Sequence, residues 1–110
     1  MTELDAEDDK LVVLARGAMG RSGSDSGAAV RDTEGRTYAA GRVSLQALRL
    51  TALQSAVAAA LSSGAEGFEA AVVVGAAADD DGVAALREVS ASARVVVAGR
   101  DGSVLEVHDG

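Results

Sequence analysis

Apolar positions recur along this chain at helical spacing in some stretches and run continuously in others, and the changes between the two mark its elements. Leu4, Leu11, Leu14, Ala15 and Ala18 form one stripe, which predicts a first helix over residues 2–19. Thr2 is placed to cap it. Glu3, Asp5, Glu7, Asp8 and Asp9 crowd its start, where the helix dipole favours carboxylates, and they read as a solvated first turn. Residues 20–27, GRSGSDSG, read as a loop. Two short strands, 28–31 and 36–40, flank Asp32-Thr33-Glu34-Gly35, a turn with Asp first and Gly last, and together predict a hairpin.

A long helical pattern follows. Residues 44–64, SLQALRLTALQSAVAAALSSG, hold no Pro and a single charge, Arg49. They predict one helix, with Ser44 as N-cap and Gly64 as the stop. Leu50, Leu53, Val57 and Leu61 share a face, and Ala52, Ser55, Ala56, Ala59 and Ser63 make a small side that lets a neighbour approach closely. A helix apolar on nearly all sides is buried, so this one is expected at the centre of the core.

Residues 68–74, FEAAVVV, and 94–98, RVVVA, are continuous apolar runs, the pattern of strands buried on both faces. Between them lie a loop, residues 75–82, and a helical spacing through Val83, Leu86 and Val89 over residues 83–92. Strand, helix, strand predicts a βαβ unit with parallel strands. Residues 99–102 turn the chain into a last strand, 103–107. The order αββαβαββ predicts a three-layer α/β/α domain around a five-stranded mixed sheet, and the 110 residues make one domain.

Composition narrows the chemistry. There is no cysteine, which removes disulfides, thiolate metal sites and cysteine nucleophiles together. The formal net charge of −7 and the single Tyr, single Phe and absent Trp disfavour nucleic acid, which needs cations and stacking platforms. No apolar run approaches the roughly 20 residues that span a membrane. The acidic N-terminus is no signal peptide, so the expected location is the cytoplasm. The first loop lacks the GK[ST] ending of a phosphate loop and follows a helix, and the centre of its GSDSG is Asp25 where a nucleophile elbow has Ser. Asp79, Asp80 and Asp81 could hold Mg²⁺ through water, although a helix cap and a solvated loop account for them with less. The lone histidine, His108, with Ser103 or Asp109 is a weaker hydrolytic pair.

The order and two stretches resemble the cytidine deaminase family. GAAVRDTEGRTYAAG, residues 27–41, is similar to that family's first hairpin. TALQSAVAAALSSG, residues 51–64, aligns without gaps with its CAERTAIFKAVSEG helix. The resemblance implies a zinc-bound water attacking cytosine, with one ligand at the start of the central helix, a proton-shuttling Glu two residues on, and two Cys from a later P-C-x-x-C motif. Here the ligand position is Thr51, the Glu position Leu53, the Pro position Gly82, and the Cys positions Val83 and Leu86. The ribose-contacting segment maps near residues 39–43, where no Asn or Glu stands. Thr, Val and Leu cannot build a tetrahedral zinc site, and Leu cannot move a proton.

The sequence therefore predicts a chain with no zinc, no cofactor and no enzyme activity, and a role as a homo-oligomeric structural or regulatory protein. The resemblance implies dimers or tetramers joined through central helices. The alternative is a nucleoside-like ligand site without chemistry, with Tyr38, Arg42, Arg49 and Thr51 as its polar groups. No nucleic acid and no membrane are expected as partners.

Overall fold

The structure, a computed structural model, describes residues 4–77 and 80–110. Helix α1 (Ala6–Ser22) opens on Asp5, whose carboxylate accepts from Asp8 N at 2.8 Å. The cap expected at Thr2 lies outside the described residues. The helix runs three residues beyond Met19, because a left-handed stop first occurs at Gly23, φ 64°.

Strands β1 (Gly27–Asp32) and β2 (Thr37–Gly41) form the expected hairpin. Asp32 is buried and closes its turn: Oδ1 accepts from Glu34 N and Arg36 N, both at 2.9 Å. Gly27 is where α1 crosses the strand. A Cβ there would stand 2.1 Å from Ala15 O, so only glycine permits the approach.

Residues 44–64 are not one helix. Residues 43–50 form a small antiparallel ribbon, β3 (Val43–Ser44) and β4 (Arg49–Leu50), closed by Leu45 N donating to Leu48 O at 2.8 Å. Helix α2 (Ala52–Ser62) begins after Thr51. Thr51 and Gln54 make a reciprocal capping box, and this T-x-x-Q signal is present in the sequence. The buried face of α2 also differs from the one expected. Ala52, Leu53, Ala56, Val57 and Ala60 are buried, Leu61 is exposed, and Leu50 lies in the ribbon.

Strand β5 (Phe68–Val74), helix α3 (Asp81–Val89) and strand β6 (Arg94–Ala98) make the βαβ unit, and β7 (Val104–His108) completes the sheet. The order is β2-β1-β5-β6-β7, with β5 and β6 parallel and the other neighbours antiparallel. Alternation explains the continuous apolar runs. Ala71, Val73, Val95 and Val97 face α2 and α3, while Ala70, Val72, Val74 and Val96 face α1. The result is the expected α/β architecture with a mixed five-stranded sheet between helical layers. None of its described helices is long and apolar enough to cross a membrane.

Candidate functional site

The chain leaves β2 at the sheet edge, turns through the β3–β4 ribbon and enters α2 at Thr51, so the ribbon lies beside the N-terminus of the central helix. Thr51 Oγ1 accepts from Gln54 N at 3.0 Å, and Gln54 Oε1 accepts from Thr51 N at 2.9 Å. The same hydroxyl donates to Asp80 Oδ1 at 2.7 Å, and that oxygen also accepts from Gly82 N at 2.7 Å. A chain of hydrogen bonds through Gln54, Thr51, Asp80 and Gly82 thus ties the start of α2 to the start of α3. The two helices meet closely here: a Cβ on Gly82 would stand 2.6 Å from Leu53 Cβ and 2.7 Å from Gln54 N.

An open cleft of about 340 Å³ lies at this junction, between the ribbon and the two helix starts. Its polar lining is Arg42, Ser44, Arg49, Thr51, Gln54 and Asp81. Arg49 Nε donates to Leu45 O at 3.2 Å, and Arg42 Nη1 lies 3.5 Å from Asp25. Three expected ligand-binding residues, Arg42, Arg49 and Thr51, therefore come together. Tyr38 does not join them. It packs against the core under α2, and its hydroxyl reaches Asp32 Oδ2 at 3.4 Å.

The remaining candidates separate. Asp80 caps α3 and Asp81 faces the cleft, while Asp79 lies outside the described residues. Among the described residues no three His, Cys, Asp or Glu side chains stand close enough to hold a metal ion. His108 Nε2 contacts Glu106 at 2.9 Å, Ser103 Oγ donates to Asp101 at 2.7 Å, and Asp109 pairs with Arg94 at 2.8 Å. The expected hydrolytic pair is not assembled.

A second polar cluster escaped sequence reasoning. Asp8, expected in a solvated turn, is 1% exposed. It accepts from Arg31 Nη2 at 3.0 Å and Arg94 Nη1 at 3.2 Å, because the first turn of α1 faces β1 and β6. Burial pulls the Arg31 guanidinium down, but hydrogen bonds and charge from Glu69 and Asp8 hold it above its usual range. Only the long-range pairing of strands brings Arg31 and Arg94 to Asp8, so no local pattern could have announced it.

Fold and cleft together define a three-layer α/β domain of the cytidine deaminase type, with its cleft at the start of the central helix. Residues 4–102 match the family described as cytidine deaminase-like, and the chain belongs to that family. Among solved structures it is similar to a cytidine deaminase from Burkholderia pseudomallei at 22% identity and TM-score 0.76, over 99% of this chain and 93% of that one. It is also similar to a point mutant of the cytidine deaminase from Mycobacterium tuberculosis at 22% identity and TM-score 0.68, over 86% of this chain and 85% of that one. A cytidine deaminase from Mycobacterium leprae matches at 21% identity and TM-score 0.68, over 96% and 94% of the two chains. No curated protein matches the sequence.

These neighbours correct one expectation. Four substituted positions point to a chain that is no enzyme, yet the solved proteins that share its fold over most of its length are cytidine deaminases. The donor set at those four positions still does not fit zinc. Leu53 and Leu86 are fully buried in the core, Val83 packs against it, and the Thr51 hydroxyl is already committed to Gln54 N and Asp80.

Proposed function

We propose that this protein binds a small nucleoside-like molecule in the cleft between the β3–β4 ribbon and the starts of α2 and α3. The observation that carries the reading is the convergence of Arg42, Ser44, Arg49, Thr51, Gln54 and Asp81 on one cleft of about 340 Å³, a volume within the range of small-molecule sites. Its neighbours in fold are named for cytidine, which makes a pyrimidine nucleoside the first ligand to test. Asp81 is a hydrogen-bond acceptor suited to sugar hydroxyls, and Ser44 and Gln54 supply both donors and acceptors. Isothermal titration with cytidine and uridine, run beside an ammonia-release assay, tests the reading. Saturable binding that weakens in Gln54→Ala supports it, and flat isotherms with both nucleosides overturn it.

The ribbon also favours a second reading, assembly with further copies of the chain. Leu45 and Leu48 at its tip are 61% and 48% exposed. A dimer or tetramer in light scattering that becomes monomeric in the Leu45→Glu, Leu48→Glu double variant supports this. A monomer in the parent protein overturns it. The small residues expected to serve such an interface are divided: Ala52 and Ala56 are spent on the chain's own core, and Ala59 is exposed.

A further inference from the structure

Two arginines, Arg42 just before the β3–β4 ribbon and Arg49 within it, line the same cleft. Val43 is paired with Leu50, and Ser44 with Arg49. Side chains alternate along a strand, so Ser44 and Arg49 share one face while Val43 and Leu50 share the other. Arg42 stands just before β3, and it lines the same cleft as Arg49. Both arginines line the cleft and both are exposed.

Like charges that line one cleft repel unless an anion stands between them. The protein supplies little compensation. Among the described residues Arg42 has only the half-exposed Asp25 at 3.5 Å, a weak pair. Among the described residues Arg49 has no carboxylate within 4 Å, and its one bond is to a backbone carbonyl. Among the described residues Asp81 is the one acid in the lining. Five of the other arginines have carboxylate partners within 4 Å or carbonyl bonds that place them elsewhere: Arg31, Arg36, Arg94, Arg16 and Arg87. In a chain of net charge −7, two cations facing one cleft are a local reversal. Guanidinium groups match phosphate oxygens in planar, two-pronged geometry.

We infer that Arg42 and Arg49 bind a phosphate monoester, so that the ligand of the cleft is a nucleoside monophosphate and not the free nucleoside. The inference rests on the nucleoside-like reading of the same cleft. Ser44, paired with Arg49, lines the same cleft and donates a third hydrogen bond to the phosphate.

Titration with cytidine, cytidine 5′-monophosphate and ribose 5-phosphate separates the two ideas. The expected result is monophosphate binding about tenfold tighter than cytidine, the effect of one charge-assisted contact. That advantage, read as the ratio of the two affinities within each protein, should disappear in Arg49→Gln and in Arg42→Gln. Arg49→Lys should keep part of it. Both arginines are exposed, so the variants should remain folded, which circular dichroism checks. Equal affinity for cytidine and its monophosphate overturns the phosphate inference and leaves the nucleoside reading standing. Ribose 5-phosphate binding as tightly as the nucleotide, with cytidine silent, supports the phosphate site and overturns the nucleoside reading. Silence of all three probes overturns both.

Discussion

The Thr51 hydroxyl donates to Asp80 Oδ1 at 2.7 Å across 29 residues of chain, and so couples the first turn of α2 to the first turn of α3. The same two residues each cap their own helix, Thr51 through Gln54 N and Asp80 through Gly82 N. One contact therefore holds both helix starts and one wall of the cleft.

Thr51→Val keeps the shape and removes the hydroxyl. It loses an N-cap bond and a bond to a charged group, an expected cost of about 2 kcal/mol in urea unfolding. Asp80→Asn alone should cost less, because its side-chain oxygen still caps α3. The double variant should be less destabilised than the sum of the two, as residues in direct contact are coupled. Strict additivity in that cycle would show the Thr51–Asp80 contact to be energetically idle.

Gly82→Ala places a methyl within 2.7 Å of Leu53 and the α2 backbone. Overpacking of this kind is expected to destabilise by about 1–3 kcal/mol. Leu53 is fully buried, so Leu53→Ala alone should cost about 2–5 kcal/mol. Combining the two should recover part of the loss, since the smaller side chain admits the methyl. Chemical denaturation of the four proteins checks this, and an unperturbed Gly82→Ala midpoint would contradict the close approach.

Asp8→Ala leaves Arg31 without its buried partner and frees one arm of Arg94. Removing one member of a buried ion cluster costs about 3 kcal/mol, mostly from the charge left behind. Arg31→Met in the Asp8→Ala background should cost much less than Arg31→Met in the parent. Thermal unfolding of the set measures both differences.

Hydrogen bonds from the Ser103 hydroxyl and backbone N–H hold the Asp101 carboxylate below its ordinary value of 3.8. A depressed carboxylate pKa stabilises the fold above the unfolded value, and the contribution is lost as pH falls through the folded value. The window therefore lies in acid, below pH 3.8. Ser103→Ala removes the stronger bond and should move the Asp101 titration upward, as read by carboxyl carbon chemical shifts. An unchanged titration would refute the hydroxyl's role.

Much of this protein is written in local pattern. The runs 68–74 and 94–98 alternate between two buried faces and so had to be central strands. Asp32 and Gly35 specify their turn without help from the rest of the chain. Those signals sufficed for the sheet and the βαβ unit, while the cytidine deaminase-like fold was legible through the resemblance of residues 27–41 and 51–64 to that family. The start of the central helix was legible too, in Thr51 and Gln54, but the leucines at 45, 48 and 50 carry helical spacing and mask it.

What the sequence determined alone is the strands of the five-stranded sheet, the hairpin turn and the layered order, because hydrophobic period and turn chemistry act over a few residues. The tertiary structure decided which polar groups meet. Asp8 finds Arg31 and Arg94, Thr51 finds Asp80, and Arg42 reaches the same cleft as Arg49 only after strands pair and helices dock. Electrostatic and hydrogen-bond partners act at about 3 Å, and a distance that short between remote residues is a property of the fold, not of the spacing along the chain.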